Sequence, residues 1–106
     1  MKKRNQHRQA LLRLLETELI MYPELKKKAL KYPSFERIAH IQAIETALEV
    51  FCTNEVKREF VKLKFWGRRM KNHEIATQLE IPKEALPRWR KTLLTILAEK
   101  LNMDDL

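Results

Sequence analysis

One glycine, Gly67, in a chain of 106 residues is the feature that most narrows the fold. The rest is dominated by Leu, Lys, Glu, Ala, Arg and Ile, residues that favour helix, and no run of alternating β-branched residues would build a sheet. An all-α chain is therefore expected. Its length leaves room for one compact domain, or a small domain with a helical appendage, since two half-size units would each have a marginal core.

Punctuation and apolar spacing divide the chain. Leu12, Leu15, Leu19 and Tyr22 recur at intervals of three and four, one face of a helix over Gln6 to Met21. Pro23 interrupts that pattern and is expected to open a short second helix, Pro23 to Leu30, where its missing N–H costs nothing. Tyr32-Pro33-Ser34 precedes another helix, with Ser34 as its cap. Within it Ile38, Ile41, Ile44, Leu48 and Phe51 form an apolar stripe that suits pairing with the first helix or with another subunit. Thr53 and Asn54 are candidate caps for a helix to Trp66 with Val56, Phe60, Val61 and Leu63 inward. Gly67 ends it, and a basic loop leads to Asn72, the expected cap of a helix from His73 to Glu80. Two parts result: 1–52, a helical N-terminal segment suited to dimerisation or partner contact, and 53–106.

The second part carries the chemistry. His73 to Leu97, HEIATQLEIPKEALPRWRKTLLTIL, has the layout of a helix-turn-helix. Ile75, Ala76 and Leu79 are the inner side of its first helix, Ile81 plugs the turn, and Leu86, Trp89, Leu93 and Leu97 face inward from the second. Lys83, Glu84, Arg88 and Lys91 then project outward, with Ala85 and Pro87 near the exposed front. Arg and Lys can donate to guanine and Glu can accept from cytosine, so Lys83, Glu84 and Arg88 are expected at base edges. Arg68, Arg69, Lys71, Asn72 and Lys91 are expected at phosphates, where charge matters more than position. Trp66 and Trp89, flanked by leucines, are expected to anchor the core rather than stack on bases.

Charge fits this reading. Lys and Arg number 22 against 14 for Asp and Glu, a formal net charge of +8. Seven cations fall between Lys57 and Lys71, opposed only by Glu59. A basic surface also suits a solubilised helical bundle or a membrane-surface binder. No stretch approaches the roughly 20 apolar residues of a membrane span, and the basic start lacks the apolar run of a signal peptide. Cys52 is the only cysteine, which removes an intramolecular disulfide and a thiol zinc site and fits a reducing, cytoplasmic setting. His7, His40 and His73 are far apart and outside any metal-binding spacing, so neither an enzyme nor a cofactor is expected.

Over residues 54–101 the segment KREFVKLKFWGRRMKNHEIATQLEIPKEALPRWRKTLLTILAEKL resembles the region 4 helix-turn-helix of sigma factors. More closely it is similar to phage-encoded transcriptional regulators of the RinA and ArpU type, on Phe65-Trp66, the EIA core and the RWRKTLL run. The resemblance implies base contacts from Lys83, Glu84 and Arg88, late-gene activation and contact with RNA polymerase in a bacterial host cell. Glu80 stands where the family usually has glycine, Pro82 where it has a Ser or Thr cap, and Pro87 inside the second helix. That proline predicts a late helix start, near Glu84, which would leave Lys83 in the turn. The expected partner is double-stranded DNA, read by a protein whose N-terminal helices could form a homodimer across two half-sites. Two other readings stay open: a small terminase-like DNA-packaging subunit, and a helical interaction module for an acidic protein.

Overall fold

The computed structural model describes residues 2–103, and among them every regular element is a helix. They run α1 (Lys2–Lys31), α2 (Phe35–Phe51), α3 (Glu55–Phe65), α4 (Asn72–Leu79) and α5 (Ala85–Lys100). Two starts follow from the capping residues read in the sequence. The Ser34 hydroxyl accepts from Arg37 N–H at 3.1 Å, and the Asn54 side-chain oxygen from Lys57 N–H at 2.9 Å. Each cap is worth about 1 kcal/mol.

The break expected at Pro23 is absent, for α1 passes through it as one 30-residue helix. A proline inside a helix frees the carbonyl four residues back, here that of Leu19. The Trp66 indole N–H donates to this carbonyl at 2.8 Å, filling the place of the missing backbone donor from a position 47 residues away. The Trp66 ring also stacks on Tyr22 at 5.8 Å, so one side chain closes the gap and packs on the helix that has it.

The core is continuous from α1 to α5. Leu15 and Leu19 of α1, Ile44, Ala47 and Phe51 of α2, Phe60, Val61 and Phe65 of α3, and Leu93, Leu94, Leu97 and Ala98 of α5 are all buried in one cluster. α5 packs most extensively on α2. Phe60 is the aromatic centre, with Phe51 and Phe65 each at 6.1 Å and Trp89 edge-on at 5.5 Å. Trp66 and Trp89 are thus packed against the core, as their flanking leucines suggested. The apolar stripes are less regular than the spacing implied: Ile38 is 44 % and Val56 38 % exposed, each near the N-terminal end of its helix.

Both ends of α4 depart from expectation. Asn72 is the first residue of α4 rather than its cap. Lys71 takes that place, with its backbone N–H donating to the Glu74 carboxylate at 3.3 Å. At the other end Glu80 is left-handed, φ 56° and ψ 46°. Ile81 N–H then bonds to Ala76 C=O at 3.1 Å and Glu80 N–H to Thr77 C=O at 3.4 Å, a Schellman closure with glutamate in the position glycine normally fills. Asn102 closes α5 in the same way, with Met103 N–H on Ala98 C=O.

Candidate nucleic-acid interface

Helix α5 begins at Ala85, after a turn closed by Ala85 N–H on Pro82 C=O at 3.1 Å and Leu86 N–H on Lys83 C=O at 3.2 Å. Pro87 therefore lies in the first turn, where no N–H is missed, and Lys83 lies in the turn before the helix. Ala85, expected at the exposed front, is buried instead. Four residues before Trp89, which packs against the core, it falls on the inner side of the helix next to the buried Leu86.

Lys83, Glu84, Arg88 and Lys91 are exposed. Glu84, Arg88 and Lys91 follow at intervals of four and three, a single outward face over the start of α5. Arg90, two residues after Arg88, turns the other way: its Nε donates to the Glu16 carboxylate of α1. The RWRK run thus contains two outward cations, one inward ion pair and one core tryptophan.

The loop before α4 is tied down from below and bare above. Gly67 and Arg69 are both left-handed, at φ 62° and 52°. Met70 N–H bonds back to Leu63 C=O at 2.8 Å, and the Met70 side chain packs on the core. Arg68, Arg69 and Lys71 are left exposed. Together with Lys64 and Glu16 they line a cleft of about 360 Å³ between α1 and the loop. Since Glu16 also holds Arg90, this cleft adjoins the flank of α5.

Asn72 is placed differently from the other expected phosphate ligands. It is half-buried, and its side-chain oxygen accepts from Lys64 Nζ at 2.7 Å. Burial holds the Lys64 amine below the ordinary lysine value, with Glu16 opposing that shift and Arg90 adding to it. Glu16, Lys64, Asn72 and Arg90 form a polar knot joining α1, α3, α4 and α5. The sequence reading did not single out Lys64 or Arg90 for this work. Only the spacing of Arg90 from Arg88, about 200° around a helix, signalled that the two point apart.

Arg68, Arg69, Lys71, Lys83, Arg88 and Lys91 make no ion pair among the described residues. Those residues also contain no group of three or more metal-ligating side chains, and no helix long and apolar enough to cross a membrane. No family model, no curated protein and no solved structure matches the chain.

Proposed function

We propose that this protein is a sequence-specific DNA-binding transcription regulator, a phage-type late-gene activator of the RinA and ArpU kind working in the cytoplasm of a bacterial host. The observation that carries the reading is the set of exposed, unpaired cations on the α3–α4 loop, the turn and the front of α5. In this reading α5 enters the major groove. Arg88 donates to a guanine, Glu84 accepts from a cytosine, and Lys83 meets a base edge from the turn. Arg68, Arg69, Lys71 and Lys91 meet phosphates on the flanks. Asn72, its oxygen held by Lys64, has only its amide N–H groups to offer a phosphate. Contact with RNA polymerase is part of the proposal.

The test is selection of bound duplexes from a random pool, with affinities followed at several salt concentrations. An enriched motif whose affinity falls steeply with salt is the expected result. Binding without a motif would replace the reading with a DNA-packaging or architectural role. No binding at low salt would remove DNA as the partner.

A further inference from the structure

Helix α1 carries apolar side chains outside the core as well as in it. At about 100° and 1.5 Å per residue, Leu14, Met21, Leu25 and Lys28 fall within an arc of about 60° and along about 21 Å of the axis. Leu14 is 47 % and Met21 45 % exposed, and Leu25 is half-buried. Toward the end of α1 this stripe meets α2. There Leu25 and the buried Ile41 line a cleft of about 270 Å³, walled by Lys28 on the α1 side and by Glu36, Arg37 and His40 on the α2 side. Leu25 and Lys28 also line a second hollow, of about 390 Å³, which continues the cleft along α1 to Met21 and Lys31.

The charges around this groove are partly paired and partly open. Glu18 is held by His40, Oε2 to Nε2 at 2.6 Å, and Glu24 by Lys27 at 3.6 Å. Lys28, Lys31 and Arg37 are exposed and form no ion pair among the described residues, and only Glu36 stands unpaired beside them. Two of these cations are held in place. Arg37 donates to the Tyr32 carbonyl at 2.7 Å, which leaves most of its guanidinium N–H groups open, and the Lys31 ammonium lies 5.4 Å from the centre of the Tyr32 ring.

From this combination we infer that the α1–α2 groove docks an acidic amphipathic helix of a partner protein. Apolar side chains of that helix, at intervals of three and four, follow Leu14, Met21, Leu25 and Ile41, and its carboxylates meet Lys28, Lys31 and Arg37. Other occupants use only half of the surface. A DNA backbone satisfies the cations and gives Met21 and Leu25 no apolar contact. A second copy of the chain matches the apolar stripe and brings the same positive excess against it. The groove is short and its rim exposed, so the complex belongs to the weak, transient class that buries less than about 1,200 Å². None of these residues is a proposed DNA contact, and the docking does not rest on the DNA reading.

Selection from a displayed library of random peptides on the full chain tests this. Enriched peptides should combine acidic residues with apolar ones at helical spacing, and their affinity should fall with salt. Met21→Glu, and Lys28→Glu with Lys31→Glu, should each weaken an enriched peptide at least about 10-fold in fluorescence anisotropy. All three side chains are exposed, so the circular-dichroism spectra of these variants should stay unchanged. Exchanging the peptide's acids for lysines should restore binding to the charge-reversed chain. Absence of enrichment, enriched peptides without acids, or peptides that both variants still bind overturn the proposal. So does a loss of duplex affinity on changing Lys28, Lys31 and Arg37 to Gln that equals the loss from the same change at Arg68, Arg69 and Lys71, since the groove's cations then belong to DNA. Failure of the DNA selection with peptide binding intact would count against the regulator alone.

Discussion

The outer face of α3 and the loop that follows it use the same residue types to opposite ends. On α3 the two exposed cations are paired at helical spacing, Arg58 with Glu55 at 3.2 Å and Lys62 with Glu59 at 3.5 Å. Past the end of α3, Arg68, Arg69 and Lys71 form no ion pair among the described residues. A linear reading merges these into one basic run from Lys57 to Lys71, because it counts charges without knowing which are three residues from an acid on a common helix face. The structure divides the run at Gly67. In its first half Arg58 and Lys62 stand in weak exposed pairs, worth about 0–1 kcal/mol each, while Lys57 and Lys64 are half-buried; its second half is positive charge left open.

Replacing Arg68, Arg69 and Lys71 together by Gln should produce the largest effect on DNA. We expect affinity to fall on the order of 100-fold near 0.1 M salt, and the slope of log affinity against log salt to shrink by close to 3, about 0.9 per phosphate contact. Arg58→Gln with Lys62→Gln, the matching change on α3, should leave both quantities nearly unmoved. Equal losses from the two sets, measured by fluorescence anisotropy across a salt series, would erase the contrast. Arg88→Ala should cost about 1–3 kcal/mol on a selected site and relax one base preference, while unselected duplex binds almost as before. A uniform loss over all sequences would move Arg88 from base edge to phosphate.

Much of this architecture can be read from the residues. Ser34 and Asn54 announce their helices because a short polar side chain before an apolar-periodic run has few other uses, and Leu15, Leu19, Ile44 and Leu97 are buried where their spacing put them. What escapes a linear reading are interactions whose partners are distant in sequence. Arg90 looks like one more cation in RWRK until α1 brings Glu16 to it, 74 residues away in the chain. Pro23 looks like a helix break until α3 brings Trp66 to the carbonyl it frees. Of the candidate contacts, Lys83, Glu84, Arg88 and Lys91 are exposed as their helical phase implied, whereas Asn72 is held by Lys64, a neighbour that no spacing rule singles out.

A third, smaller effect tests the Pro23 interaction. Trp66→Phe keeps a ring for Tyr22 but removes the donor, and leaving the Leu19 carbonyl without a partner should cost about 1–3 kcal/mol in urea unfolding. In a Pro23→Ala background the helix supplies its own N–H to that carbonyl, so the cost should shrink to the packing difference alone. Identical costs in the two backgrounds would show that the indole hydrogen bond contributes nothing.

The smallest effect concerns the α1–α2 seam. Hydrogen bonds from Lys26 Nζ and the Tyr22 hydroxyl hold the Glu45 carboxyl below the ordinary carboxylate range. Its share of stability is fully present above the ordinary value and is lost as pH falls through the lowered one. Glu45→Gln should therefore flatten the acid limb of the stability curve slightly and leave DNA affinity at neutral pH unchanged. An unaltered acid limb would show that these bonds are equally strong to the neutral group.

Pro23 and Trp66 also impose a rule of inheritance. Either can drift only as far as the other allows, because losing the indole strands a carbonyl, whereas losing the proline leaves the ring only its packing role. Among descendants of this sequence the order of replacement should therefore be directional. Proline departs first and tryptophan follows, and a lineage that keeps the proline while losing its donor should be rare.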